Sequence, residues 1–279
     1  MAKTIKLFLM DNEPAGRVKC SLTNWTGVAY KIPRTMIDQC KDMAVLKQSG
    51  VYFLFGSDEN GDEVAYIGQA GVRKNGEGLL LRIQEPHDSI DWTEAVMFTT
   101  TNNSFGPTEI SYLENRFCNI AKAAGRYKVV NSVEPNIGNP TEETASELEE
   151  FIEYAKICMG SMGKKVLEPL IAVSSSDDSE PVLCMTYNSA KATGKRTSDG
   201  FVVLKDSVIC GELAKSCPNH AKADRMKYAS SIDENNSLMA DLLFSSPSGA
   251  AQFVAGASVS GNMMWKDSSG KTLKEIDGV

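Results

Sequence analysis

Short apolar runs separated by polar turns fill the first hundred residues, and longer stretches with apolar positions at a 3.6-residue spacing follow. Residues 4–10 read as a strand. A turn over 12–16 follows, and then a hairpin of 17–22 and 28–32 around Asn24-Trp25-Thr26-Gly27. Pro33 stops that hairpin, and 34–46 reads as a short helix. Residues 51–55 and 63–67, rich in Val, Phe, Tyr and Ile, flank a polar turn. Its Asn60-Gly61 supplies the positive φ of a tight connection, which predicts an antiparallel hairpin. Tyr52 shares a strand face with Leu54, and Tyr66 shares one with Val64, so in suitable register the two phenols sit side by side.

Beyond that hairpin, 79–84 begins a helix and 92–100 alternates as a third strand. The clearest helix is 107–125, opened by Pro107 and Thr108 and closed by Gly125. Its apolar stripe is Ile110, Leu113, Phe117, Ile120, Ala121 and Ala124. A strand over 127–130 and an acidic amphipathic helix from 141 to about 158 come next. The low-complexity stretch 174–179 marks a flexible boundary. After it come a strand at 182–187, a hairpin of 200–205 and 207–210 across Asp206, helical segments at 221–230 and 250–255, and closing segments at 261–266 and 271–276. The predicted layout is a mixed α+β fold: an N-terminal β extension (1–49), a small domain with a central antiparallel sheet flanked by helices (50–139), an acidic helical connector (140–190) and a second small α+β domain (191–279).

Composition narrows the chemistry. No apolar run approaches 18 residues and no charged-then-apolar leader opens the chain, so a cytoplasmic protein without membrane contact is expected. Seven scattered cysteines without a Cys-x-x-Cys pair fit reduced thiols. With only two histidines, His87 and His220, multi-histidine metal sites are excluded. The net charge of −7 is unevenly spread: +4 over 1–49, −5 over 50–139, −7 over 140–190 and +1 over 191–279. Any contact with nucleic acid must therefore use local basic patches. Arg73 and Lys74 on the glycine-containing loop 69–78 form one, although that loop lacks a P-loop pattern. Lys215, Lys222, Arg225 and Lys227 form another cluster, more simply read as a solvated helix face.

Glu114 falls at the margin of the apolar stripe of helix 107–125. A partly buried carboxylate needs a compensating charge. Arg82 in a structural ion pair is one answer, and a divalent metal is the other.

In order, residues 50–136 offer Gly50-Val51-Tyr52, Tyr66-Ile67-Gly68, Arg82, a helical Glu114 and Asn131 after a strand. That constellation resembles the GIY-YIG nuclease superfamily. The first signature carries Val51 in place of Ile and the second is literal. Arg82 lies fourteen residues after Gly68, so its assignment depends on how loop 71–78 folds. The resemblance implies a metal-dependent endonuclease hydrolysing phosphodiester bonds in nucleic acid, with DNA the expected substrate. Glu114 would hold Mg²⁺ or Mn²⁺ and Arg82 would bind the scissile phosphate. Tyr52 would orient or deprotonate water, Tyr66 would assist, and Asn131, with Asn136 as the alternative, would brace the site. Gly68, Arg73, Lys74 and His87 are the expected substrate-binding positions, with proton transfer a second option for His87. A catalytically silent nucleic-acid-binding or protein-interaction module on the same scaffold is the competing expectation. The segments 200–205, 243–248 and 265–273 are similar to a bacterial domain of unknown function often fused behind such nucleases.

Overall fold

In the computed structural model, which describes residues 2–59, 61–72, 78–171 and 180–278, the central hairpin is β4 (Gly50–Ser57) paired antiparallel with β5 (Glu63–Ala70). Three strands precede it, β1 (Ile5–Leu9), β2 (Val18–Leu22) and β3 (Gly27–Pro33), and two follow, β6 (Trp92–Thr100) and β7 (Lys128–Val129). All seven lie in one sheet, in the order β1-β2-β3-β6-β4-β5-β7. Neighbours are antiparallel except β5 and β7. Residues 1–49 thus supply three strands of the sheet that holds the hairpin, joined to it through β3 and β6. The chain divides into two compact units, Met1–Pro169 and Leu170–Val279. The expected boundary at 174–179 lies outside the described residues.

Alternation along β4 sorts the core of the first unit into two layers. Val51, Phe53 and Phe55 face α2 (Pro107–Ala124) and α3 (Glu142–Ser161), packing with Leu113, Phe117, Phe151 and Ile152. Tyr52 and Leu54 face the other way, toward α1 (Leu79–Gln84) and the segment 34–47, packing with Leu79, Ile83, Ile37 and Leu46. Helix α2 starts with Pro107 in its first turn, while the Glu109 carboxylate accepts from the Gly106 N–H at 2.9 Å. It ends on Gly125 with φ 65°.

Segment 34–47 departs from the expected helix. It forms two 3₁₀ turns, Arg34–Cys40 and Ala44–Lys47. In the first, the buried Ile37 and Cys40 are three residues apart, one turn of a 3₁₀ helix, and so share a face; the second buries Leu46.

In the second unit β8 (Leu183–Tyr187), β9 (Ala190–Thr197), β10 (Gly200–Val203) and β11 (Leu242–Phe244) form an antiparallel sheet in the order β11-β10-β9-β8. The expected hairpin of 200–205 with 207–210 does not form. Strand β10 pairs with β9 and β11, and Val208 makes only isolated bridges to Lys191 and Ser237. Helices α4 (Asn219–Lys227), α5 (Pro247–Ala255), α6 (Gly261–Met264) and α7 (Leu273–Ile276) complete the unit. Phe201 packs on Trp265 with ring centroids 4.6 Å apart, and the Trp265 indole donates to the Pro247 carbonyl at 2.9 Å. The unit is therefore tied together through β10, the start of α5 and the residue after α6. All seven cysteines are free thiols, and among the described residues no helix is long and apolar enough to cross a membrane.

Candidate active site

The register of β4 against β5 sets the site. Gly68 lies opposite Tyr52 and Tyr66 lies opposite Leu54, so both phenols are on one face of the sheet, on a diagonal. Their ring centroids are 6.1 Å apart. Gly68 leaves room for this: a Cβ there would fall 2.5 Å from both Cζ and Oη of Tyr52. Gly68 is itself buried, and its part is to clear space for the Tyr52 ring. His87, in the loop after α1, completes a triangle of rings at 5.8 Å from Tyr52 and 5.7 Å from Tyr66.

Tyr52 is fully buried, and its hydroxyl has no hydrogen-bond partner among the described residues. Burial, reinforced by the neighbouring Tyr66, pushes the phenol well above its usual range, and the pull of Arg82 does not offset this. The group therefore keeps its proton and is equipped to donate a hydrogen bond. Of the two expected roles, orienting water is the one this protonated, buried setting supports. His87 Nε2 lies 3.2 Å from the Arg82 carbonyl. A carbonyl only accepts, so Nε2 carries the proton and Nδ1 keeps the lone pair. Burial, and then the Arg82 charge, lower the His87 pKa, which favours the neutral ring.

Arg82 projects from α1, where its Nη1 donates to Glu85 Oε2 at 2.8 Å. The ion pair with Glu114 that the sequence offered is not formed. Glu85 sits three residues along, within one helical turn, and takes that nitrogen. Burial draws the Arg82 pKa down, but Tyr52, the Glu85 contact and Tyr66 together raise it. Glu114 stands half-buried on α2, the helix that covers the opposite face of the sheet from Tyr52. There Gln69 lies close enough to lower its pKa, and the Gln69 amide bonds Ser111 at 3.1 Å. Burial raises the Glu114 pKa against the pull of Gln69 and Arg82. Its charge still acts on Tyr52, so the groups share one electrostatic neighbourhood without direct contact between Glu114 and Arg82. The sequence pattern does not single out Gln69 or Glu85. Their only signals are adjacency to Gly68 and the three-residue step from Arg82.

Asn131 follows β7 and continues its pairing with β5 through its side chain. Its Oδ1 accepts from the Ile67 N–H at 3.0 Å, and its Nδ2 donates to the Ile67 carbonyl at 2.6 Å. That clamp fixes β5 between Tyr66 and Gly68. Asn136 instead accepts from the Gly138 N–H within its own loop. Arg73 and Lys74 lie outside the described residues.

No group of three or more His, Cys, Asp or Glu side chains converges among the described residues, so a protein-only metal cage is not on offer there. A single half-buried carboxylate does fit a hard cation that keeps waters and takes further oxygens from a phosphate, the usual habit of Mg²⁺.

Residues 183–277 match the model of a family described as a domain of unknown function, DUF4357. The match covers the sheet and helices of the second unit from β8 to α7 and agrees with the expected C-terminal domain of unknown function. No curated protein and no solved structure matches the chain.

Proposed function

We propose that the first unit is a divalent-metal-dependent endonuclease acting on nucleic acid, DNA first. The observation that carries this reading is the buried, unpartnered hydroxyl of Tyr52, held against Gly68 beside Tyr66, His87 and Arg82. Leaving such a group unsatisfied costs about 1–3 kcal/mol, and packing alone would be served better by phenylalanine. Glu114 would hold Mg²⁺ or Mn²⁺, which when bound would neutralise charge growing on the phosphate oxygens and favour ionisation of water.

The remaining steps fall to the chain's own residues. Arg82 binds the phosphate through guanidinium donors other than the one given to Glu85. Tyr52 donates a hydrogen bond to the reacting group once the ring cluster opens to admit it, and Tyr66, partly exposed, assists at the same place. Neutral His87 takes the proton of the attacking water as its oxygen bonds to phosphorus; the phosphorus–oxygen bond to the leaving sugar breaks with its electron pair on the sugar oxygen, which takes a proton from solvent. Asn131 keeps β5, and with it Tyr66, in register.

The test is cleavage of labelled linear, branched and single-stranded DNA and RNA with Mg²⁺ or Mn²⁺, comparing wild type with Glu114→Ala and Tyr52→Phe. Metal-dependent cutting by wild type that disappears in Glu114→Ala supports the proposal. Wild type that binds these nucleic acids without cutting any of them overturns it in favour of a binding module.

A further inference from the structure

The seven-stranded sheet ends at β1, and four of the five residues of that strand are exposed. Among them are three large apolar side chains, Leu7, Phe8 and Leu9, with Phe8 63% exposed. Beyond β1 no further strand pairs among the described residues. An apolar edge of this kind is a template for another strand. Its own hydrogen bonding shows which groups are on offer. Residue pairs of β1 and β2 sum to 27, and the pairs 10/17 and 4/23 carry main-chain bonds. Even-numbered residues of β1 therefore bond inward to β2. The N–H and C=O groups of Ile5, Leu7 and Leu9 point outward, and of these the Leu9 carbonyl accepts from Asn12 in the turn.

We propose that β1 pairs antiparallel with β1 of a second copy of this chain, about a two-fold axis at Leu7, joining two seven-stranded sheets into one. The register follows from the outward groups. Leu7 exchanges both main-chain bonds with Leu7 of the second copy, and each Leu9 N–H reaches an Ile5 carbonyl. On one face this stacks Leu7 on Leu7 and Ile5 on Leu9, a continuous apolar row. On the other face Lys6 stands opposite Phe8 of the second copy, so no two lysines meet and each cation lies beside an aromatic ring. A shift by two residues in either direction breaks the Lys6–Phe8 match and leaves one outward residue, Ile5 or Leu9, without a partner in the strand. An isologous contact closes on itself and uses up the edge, whereas an edge left open would invite unlimited association. The surface is independent of the nuclease reading.

Sedimentation of the full chain over a concentration series tests this. Wild type is expected at twice the 30.3 kDa chain mass. Leu7→Lys, which sets two like charges face to face on the axis, is expected to weaken dimerisation by about tenfold or more without changing the circular dichroism spectrum. Leu7→Pro removes an outward N–H and no bond to β2, and is expected to do the same. Leu7→Cys in a Cys184→Ser background is expected to give a disulfide-linked dimer on mild oxidation, since paired Cα atoms across the axis lie at about 5.5 Å. Wild type that stays monomeric overturns the proposal, whether or not β1 takes up an extended peptide from another protein. A dimer that Leu7→Lys leaves intact, or that Leu7→Cys does not link, overturns it as well.

Discussion

Placing a methyl group at Gly68 probes the architecture of the site directly. The Cβ introduced by Gly68→Ala would lie 2.5 Å from Cζ and Oη of Tyr52 and 2.9 Å from Cε1. Ordinary carbon contacts need about 3.5–4.0 Å, so the ring must retreat by roughly 1 Å. It has nowhere easy to go, being fully buried against Tyr66 and His87. Overpacking of this sort costs about 1–3 kcal/mol. Replacing glycine returns about 0.4–1 kcal/mol through the unfolded chain. The net expectation is a loss of about 1–2 kcal/mol, which for a unit of this size lowers the unfolding midpoint by roughly 2–8 °C. The assay is a double-mutant cycle by urea and thermal unfolding of the full chain, with Tyr52→Leu as the second change. In the Tyr52→Leu background Gly68→Ala should cost nothing measurable, because the atoms it struck are gone. An equal cost in both backgrounds would refute the claim that Gly68 exists to seat the Tyr52 ring.

Tyr52→Phe should raise stability by about 1 kcal/mol, by removing an unpartnered buried hydroxyl, while lowering cleavage; urea midpoints and initial rates separate the two effects. Asn131→Ala strips both bonds from the Ile67 backbone and should cost about 2 kcal/mol, with cleavage reduced through misplacement of Tyr66. His87 has a folded-state pKa below its ordinary 6.5, so the unfolded chain binds the proton more readily. Its contribution is therefore fully present above pH 6.5 and is lost as the pH falls through the folded value; His87→Asn should flatten that part of a stability-against-pH profile. Within the second unit, Trp265→Phe should cost about 1–3 kcal/mol, because the Pro247 carbonyl loses its indole donor and a cavity opens beside Phe201, as thermal unfolding would show.

Locally specified elements could be read in advance. The hairpin over 50–70 announced itself through β-branched and aromatic runs around Asn60-Gly61. Helix α2 did so through a stripe closed by Gly125, and Tyr52 with Tyr66 followed from period-two alternation. Other features depend on partners distant in sequence. Nothing in residues 27–33 shows that they align with 94–100, yet that pairing binds β1 to β3 into the main sheet. Strand β9 leaves almost no trace in the pattern, because its inward positions are Ala190, Ala192 and Gly194, whose small side chains give almost no alternation in hydropathy. The role of Arg82 hinged on competition between Glu85 and Glu114, and only three-dimensional proximity decides which carboxylate it meets. The buried state of the Tyr52 hydroxyl was equally hidden, because a tyrosine at a strand's inward position can place its oxygen in solvent or within the core.

The strand order also has a temporal side. Consecutive strands β3 and β4 are not neighbours; β6 lies between them, bonded to both. A ribosome delivering this chain from its N-terminus has synthesised both walls of that slot well before the strand that fills it is complete, an interval of roughly 2–9 s at ordinary elongation rates. During that interval the inner edges of β3 and β4 present unpaired backbone groups and the side chains of Val28, Ile32, Val51 and Phe53. The nascent protein thus has a window of vulnerability set by topology, closing when Thr100 emerges, and a pause in translation between the end of β4 and the start of β6 would lengthen it.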